Sequence, residues 1–409
     1  MKIDHIHFFV EDAARQRNWF VNHLGWTSVK QATLCDRTLE ILRYRDTLFV
    51  LSSPLTAASP VAQYLRNHAP GIANVAIQVE NLAAVQHRLK HLFSHLCLPK
   101  GDIAQTNKPE KEPEPAAILS QLASLNGSGL NGFGLNGYDG QDSAQRPAWI
   151  DIAGWGGLSH TLIERRPSHS PLQPSSQSKG IDHIVLNVPT GELQPAVDFY
   201  SCLFDLQKKQ QFNIQTEQSG LNSQVLFDAS SQLYFNINEP TSTRSQIQTF
   251  LDANRGAGIQ HIALHSEPIV PTVTALRQRG VPLLSVPLTY YRQLQKRQQT
   301  CRISPIQTKE WQQIVEQQIL LDWQPQQPES LLLQIFSQPI FSEPTFFLSL
   351  LSAVEPFKAL VKVTFWLFTK QLKQKQRGSA DPALPQKNHH DSTNTPQRLP
   401  LEWQTAAIF

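Results

Sequence analysis

With 409 residues the chain is long enough for two or more domains with sizeable cores. Its 36 Lys and Arg against 33 Asp and Glu leave a formal charge of +3, too even to point to nucleic acid or an anionic membrane surface as partner. Cys35, Cys97, Cys202 and Cys301 form no CxxC and no zinc-like spacing, so they read as reduced thiols of a cytoplasmic protein. No signal-peptide pattern and no apolar run of spanning length is found.

In chain order, Ile3 to Val10 reads as a strand. Ala13 to Leu24 reads as a helix that gathers Trp19, Phe20 and Leu24 on one face, and Gly25 ends it. Leu39 to Leu51 predicts one or two strands, Gly71 to Val79 a strand and Leu82 to Leu96 a helix. Lys100 to Gln145 is rich in Pro, Glu, Gly, Asn and Ser and carries the near-duplicated GLNGFGLNGYDG. Such a stretch buries too little apolar surface to offset its ordering entropy, and it reads as a disordered insertion over 100–145. A phosphate-binding reading fails because no strand precedes the glycines and no GK[ST] follows. Trp149 to Glu164 returns to strand character, and Arg165 to Lys179 is a Pro/Ser/Gln linker.

The pattern then restarts. A strand over Ile181 to Val188, a helix over Gln194 to Leu203 and strands over Ser223 to Phe227 and Gln232 to Asn238 are expected. A further round has a strand at Ile259 to Leu264, a helix at Val270 to Arg279 and strands near Leu331 to Phe336 and Pro344 to Leu350. Four strand–helix–strand–strand units in two pairs predict an α+β fold of four βαβββ modules paired into two open-barrel domains. The divisions are a first domain over 1–165, a linker over 166–179, a second, metal-binding domain over 180–350 and an atypical tail over 351–409.

Two phrases repeat: Gly180-Ile-Asp-His-Ile carries His183, and Gly258-Ile-Gln-His-Ile carries His261. Side chains alternate along strands, so matched positions put the two imidazoles on comparable faces. Either histidine alone reads as a hydrogen-bonded core residue; the repetition favours two ligands of one metal. In the first half Asp4-His5-Ile6 matches Asp182-His183-Ile184, but Asn74 stands where His261 stands in the second. His5 is therefore expected to be structural, with the metal in the second half.

These repeats resemble the vicinal-oxygen-chelate superfamily and, within it, the 4-hydroxyphenylpyruvate dioxygenase family. The likeness rests on IDHIVLNVP (181–189), LNSQVL (221–226), NINEP (236–240), SQIQTFL (245–251), GAGIQHIAL (256–264), PLTYYRQL (287–294) and LLLQIF (331–336). A weaker match runs through Met1 to Glu164. The resemblance implies an Fe(2+) ion held by two histidines and a glutamate, with positions left for a bidentate substrate and O2. It places His183 and His261 as metal ligands. It places Ser223, Asn238, Gln246, Gln260 and Gln334 as polar residues of the substrate pocket, and Phe336 as an aromatic near the substrate ring. Asn238 before Glu239-Pro240 also reads as a turn residue, and Gln246 as a solvated position on a helix. The implied reaction converts 4-hydroxyphenylpyruvate and O2 to homogentisate and CO2, serving aromatic amino acid metabolism, and a homo-oligomer is expected. Three alternatives stand beside it: hydroxymandelate synthase chemistry on the same substrate, an extradiol dioxygenase acting on a catechol, and an inactive ligand-binding descendant.

Two departures bear on activity. The family's third ligand lies in a strand reading roughly PTFFFEIIER, whereas this chain reads Pro344-Thr-Phe-Phe-Leu-Ser, with Ser349 at the glutamate position. Glu343 and Glu355 lie six residues away on either side, about 20 Å along a strand. The family's closing helix begins like GFGEGNF, and this chain has Ala359-Leu-Val-Lys-Val-Thr-Phe instead. A one-nucleotide frame shift near Phe347 accounts for both. If each codon is read from the third base of one residue and the first two of the next, Phe347 through Val354 can encode Phe-Glu-Phe-Ile-Glu-Arg-Arg. From Lys358 to Lys373 the same reading can encode Gly-Phe-Gly-Glu-Gly-Asn-Phe-Leu-Ala-Phe-Tyr-Glu-Ala-Ile-Glu. On that reading the tail, with Pro382, Pro385, Pro396 and His389-His390, is disordered. The competing reading is a divergent tail in which Phe365 to Phe368 sit on an amphipathic helix.

Overall fold

The computed structural model describes residues 1–95, 148–164, 180–215, 219–301, 308–324 and 327–353, all within one compact unit. The expected insertion, the linker and the tail beyond residue 353 lie outside the described residues. Two mixed sheets carry the fold, which is of the expected α+β class.

The first sheet has seven strands in the order β2-β3-β4-β1-β5-β7-β6. They are β1 (Lys2–Phe9), β2 (Thr27–Thr33), β3 (Arg37–Tyr44), β4 (Thr47–Pro54), β5 (Gly71–Val79), β6 (Trp149–Ala153) and β7 (Ser159–Glu164). Helices α1 (Ala13–Trp19), α2 (Pro60–Asn67) and α3 (Leu82–His95) join them. The Asp12 carboxylate starts α1 by accepting the Arg15 N–H at 2.9 Å. The predicted helix to Leu24 continues as a π turn over Phe20–Leu24, and Gly25 ends it at φ +73°. Ser59 caps α2, with Pro60 in the first turn, where its missing N–H is harmless.

The second sheet has eight strands in the order β13-β14-β15-β12-β8-β11-β10-β9. They are β8 (Ile181–Asn187), β9 (Gln207–Gln215), β10 (Gly220–Asp228), β11 (Leu233–Pro240), β12 (Gly258–His265), β13 (Leu320–Gln324), β14 (Gln327–Phe336) and β15 (Phe347–Ala353). Helices α4 (Leu193–Phe204), α5 (Gln246–Asn254), α6 (Ile269–Gln278), α7 (Leu288–Cys301) and α8 (Thr308–Glu316) complete this half.

The repeat is visible in the pairing. β1 runs parallel to β4 and antiparallel to β5, and β8 runs parallel to β11 and antiparallel to β12. His7 stands opposite Asn74, as Val185 stands opposite His261. One difference from expectation lies in the second unit of the first half, where two strands, β6 and β7, follow α3 among the described residues. The strands that sequence patterning misses, β2, β9 and β13, are sheet edges. β9 reads QKKQQFNIQ and is largely exposed, so it lacks the apolar alternation that marks a half-buried strand.

Aromatic side chains from both halves meet. Phe8 of β1 lies 5.0 Å (ring centres) from Phe346 and 6.0 Å from Phe341, both just before β15. Trp26 packs on Phe49 at 4.3 Å and on Phe20 at 4.6 Å. A second seam is polar. His160 of β7 donates Nδ1–H to the Val75 carbonyl (3.2 Å) and accepts the Tyr200 hydroxyl of α4 at Nε2 (3.1 Å). The Trp155 N–H donates to the same hydroxyl oxygen at 3.2 Å. Among the described residues no helix is long and apolar enough to cross a membrane.

Candidate metal centre and polar pocket

The central strands of the second sheet bring His183 and His261 together. Ala263 stands opposite His183, and His261 opposite Val185. β15 lies on the other side of β12, with Phe347 opposite His261 and Ser349 opposite Ala263. β14 adds Phe336 opposite Ser349. Cross-strand partners share a face, so His183, His261, Ser349 and Phe336 line one side of the sheet.

The two imidazoles are buried, with ring centres 5.5 Å apart and planes at 82°. Each ring centre of a metal-bound histidine stands about 3 Å from its ion, so this separation suits two ligands of one ion. His183 donates Nδ1–H to Asp182 Oδ1 at 2.7 Å, which leaves Nε2 as the lone-pair nitrogen. Asp182 Oδ2 also lies 3.3 Å from His265 Nε2. His261 is held well below the usual histidine range, first by burial and then by the neighbouring His183, so it is neutral as a ligand must be. Its Nδ1 is buried without a hydrogen-bond partner. Phe347 stacks on it at 4.6 Å, and Phe336 meets it edge-on at 6.4 Å.

The third position differs. Ser349 is fully buried and its Oγ accepts an N–H from Gln334 Nε2 at 2.8 Å. A neutral hydroxyl already engaged by an amide supplies neither charge nor a free strong donor atom. Glu343 lies in the turn before β15, not on the strand, and among the described residues no three His, Cys, Asp or Glu side chains converge on one point. The residues present fit two of the three protein ligands of a two-histidine, one-carboxylate iron centre and do not fit the third.

Around the histidines the wall is polar. Ser223 of β10, Asn238 of β11 and Asn187 of β8 stand in one cross-strand row, and Asn238 Nδ2 donates to Asn187 Oδ1 at 3.2 Å. Buried atoms without partners cluster on these strands and their neighbours: Ser223 Oγ, Asn238 Oδ1, Asn187 Nδ2, Asn236 Oδ1, Gln246 Oε1 and Gln334 Oε1. A buried polar atom left unpaired costs about 1–3 kcal/mol, so such a set points to a polar occupant. Asn238 is a strand residue rather than a turn residue, and Gln246 is buried at the first turn of α5 rather than solvated. Gln260 is buried where the β8–β12 register shifts between Ile259 and His261.

Sequence reasoning missed Asp182, His265, Asn187, Asn236 and Phe347. Asn187 was reachable, because His183, Val185 and Asn187 share one face of a strand by simple alternation. Asp182 was signalled by the Asp-His pair that recurs at Asp4-His5, where His5 Nδ1 lies 3.0 Å from Asp4 Oδ1.

Residues 180–297 match the family model described as Glyoxalase/Bleomycin resistance protein/Dioxygenase superfamily. An uncharacterized protein of Synechocystis sp. is 30% identical over 352 residues, covering 85% of this chain and 90% of its own length. The 4-hydroxyphenylpyruvate dioxygenase of Xenopus tropicalis is 26% identical over 388 residues, covering 87% of each chain. Among solved structures, a mutant of 4-hydroxymandelate synthase from Streptomyces coelicolor superposes with a TM-score of 0.67 at 20% identity, over 92% of this chain and 98% of that one, which is a likeness of fold.

Proposed function

Because the chain belongs to the 4-hydroxyphenylpyruvate dioxygenase family of the vicinal-oxygen-chelate superfamily, we propose that its pocket is built for 4-hydroxyphenylpyruvate and O2, with homogentisate and CO2 as the family-level products. The observation that carries this reading is the pair of buried imidazoles beside a wall of unpaired amide and hydroxyl groups. A 2-oxo acid already brings a carboxylate. Neutral donors such as Ser223 Oγ and Asn187 Nδ2 orient its oxygens without adding charge, and Phe336 and Phe347 give its ring an apolar wall beside His261. Gln246 and Gln260 complete the polar lining in this proposal.

The proposed iron ligands are His183 and His261. Ser349 does not supply the third, so this centre in the chain as written is proposed to bind Fe(2+) weakly and to turn over poorly or not at all. The proposed cause is the one-nucleotide frame shift near Phe347, whose shifted reading restores a glutamate at position 349 and a GFGEGNF-like segment after it. Two experiments separate the parts. The coding DNA either contains codons that permit the shifted reading or it does not, and codons that forbid it remove the frame-shift proposal. Anaerobic Fe(2+) titration with 4-hydroxyphenylpyruvate, followed by O2 and product analysis, is run on the chain as written and on Ser349→Glu. Homogentisate from the chain as written refutes the proposed incapacity. Failure of Ser349→Glu and of the frame-restored chain alike refutes the substrate assignment.

A further inference from the structure

The first half has a polar cavity of its own, on the strands that repeat those of the second-half centre. It measures about 90 Å³ and is lined chiefly by His5, His7, Asn74, Asp151, Ser159 and Thr161. That is room for several water-sized groups or a hydrated ion. The correspondence is set by register. His7 stands opposite Asn74 as Val185 stands opposite His261, and Asn74 stands opposite Ser159 as His261 stands opposite Phe347. Asp151 stands opposite Thr161 as Phe336 stands opposite Ser349. His5 thus holds the place of His183, Asn74 that of His261, and Thr161 that of Ser349.

The hydrogen bonds around this cavity use up its donors and leave acceptors. His5 Nδ1–H donates to Asp4 Oδ1 at 3.0 Å, and Asp4 Oδ2 is in turn held by Gln78 Nε2 at 2.9 Å. That fixes the tautomer and leaves the lone pair on His5 Nε2. The Asn74 amide donates to Ser159 Oγ at 2.8 Å and to Thr161 Oγ1 at 3.1 Å. With its nitrogen committed, Asn74 Oδ1 is buried and unpartnered, on a side chain only 7% exposed. The Thr161 hydroxyl donates to Asp151 Oδ1 at 2.7 Å, so the carboxylate reaches the cavity as a fixed acceptor. His7 is tied to Ser52 Oγ at 2.6 Å.

An imidazole nitrogen, an amide oxygen and a carboxylate around one cavity, with no spare donor among them, ask for a cation. We propose that this cavity binds a divalent first-row metal ion through His5 Nε2, Asn74 Oδ1 and the Asp151 carboxylate, with water completing its coordination. The mixed nitrogen and oxygen set suits a first-row ion better than calcium, which takes oxygen ligands. This site is independent of the reading given above for the second half and stands or falls separately.

The test uses Co(II), whose visible spectrum reports its coordination, and the full chain carrying His183→Ala and His261→Ala. That background is expected to take up one saturable equivalent. Adding Asp151→Asn, which keeps an acceptor for the Thr161 hydroxyl, is expected to weaken binding about tenfold or more, as is adding His5→Gln. Melting temperatures without metal establish that each variant is folded, and added Co(II) is expected to raise the melting temperature of the background but not of Asp151→Asn. Absence of saturable uptake in the background overturns the proposal. So does an affinity unchanged by both folded variants, or stabilisation by ammonium chloride with none by Co(II).

Discussion

Strands β1, β5 and β7 of the first half and β8, β12 and β15 of the second occupy corresponding places, yet they carry different sets of donor atoms. The second half has both histidines and a serine in place of a carboxylate. The first half has His5 at the place of His183, an asparagine where His261 would stand, and a carboxylate reached through Thr161. The backbone register is shared and the donor atoms are not. Strand pairing decides which side chains meet, whereas the chemistry depends on single residues that the register leaves free to vary.

The largest expected effect comes from supplying what the second half lacks. Ser349→Glu places a carboxylate on the strand position beside Ala263 and displaces the Gln334 Nε2 bond. Overfilling so buried a site costs about 1–3 kcal/mol of stability. Against that, Fe(2+) affinity is expected to rise by more than about 100-fold, because even residues that only support a ligand are worth about 10- to 100-fold. Titration under anaerobic conditions measures it, and homogentisate formation is expected to pass from undetectable to measurable. A folded variant with unchanged iron affinity breaks the comparison of the two pockets.

The polar seam between the halves responds to acid. Burial lowers His160 to about 4, from the ordinary histidine value of 6.5. The unfolded chain then takes up a proton between those values while the folded chain does not. Stability is therefore fully present above pH 6.5 and is lost as pH falls towards 4, by roughly 3 kcal/mol. Asp151 acts in the opposite sense over much of the same window. Burial raises it to about 6, so its folded form keeps a proton that the unfolded form releases above the ordinary aspartate value of 3.8, and its contribution grows as pH falls. Denaturant unfolding from pH 7 to pH 4 is expected to show a flatter acid limb in His160→Gln and a steeper one in Asp151→Asn. Equal slopes in the two variants contradict these assignments.

A smaller effect is expected at Asp182, whose carboxylate holds the His183 ring at 2.7 Å. In the Ser349→Glu background, Asp182→Asn is expected to lower iron affinity about 10- to 100-fold. Asp4→Asn, the matching change in the first half, is expected to leave the iron affinity of the second-half centre alone and to weaken only metal uptake at His5. Iron lost equally in both variants removes the distinction between the pockets.

Much of this arrangement was legible in the sequence because it repeats. The Gly-Ile-x-His-Ile phrase located His183 and His261, and strand alternation put them on one side of the sheet. The absence of a carboxylate at Ser349 was equally plain. What was hidden depends on contacts between distant strands. Which side chains stand beside the two histidines follows only from cross-strand register, and Asp151 follows a long stretch with no strand signal to number from. β9 was hidden for another reason: an exposed edge rich in Lys and Gln lacks the apolar alternation on which sequence reading relies.

The smallest expected effect tests whether the two halves are coupled at all. Tyr44, at the end of β3, donates its hydroxyl to the His265 carbonyl at 2.8 Å. The His265 ring lies 3.3 Å from Asp182, and Asp182 orients His183. A chain of contacts thus runs from the first sheet to the second-half centre. Tyr44→Phe keeps the ring and removes one hydrogen bond, so about 1 kcal/mol of stability is expected to be lost. If the carbonyl contact only joins the halves, iron affinity in the Ser349→Glu background is expected to change by less than about threefold, since the ring of His265 is still placed by its own strand. A loss as large as that of Asp182→Asn would show instead that the first half helps to set the geometry of the second-half centre. The two pockets would then have to be treated as one coupled system rather than as parallel versions of a common design.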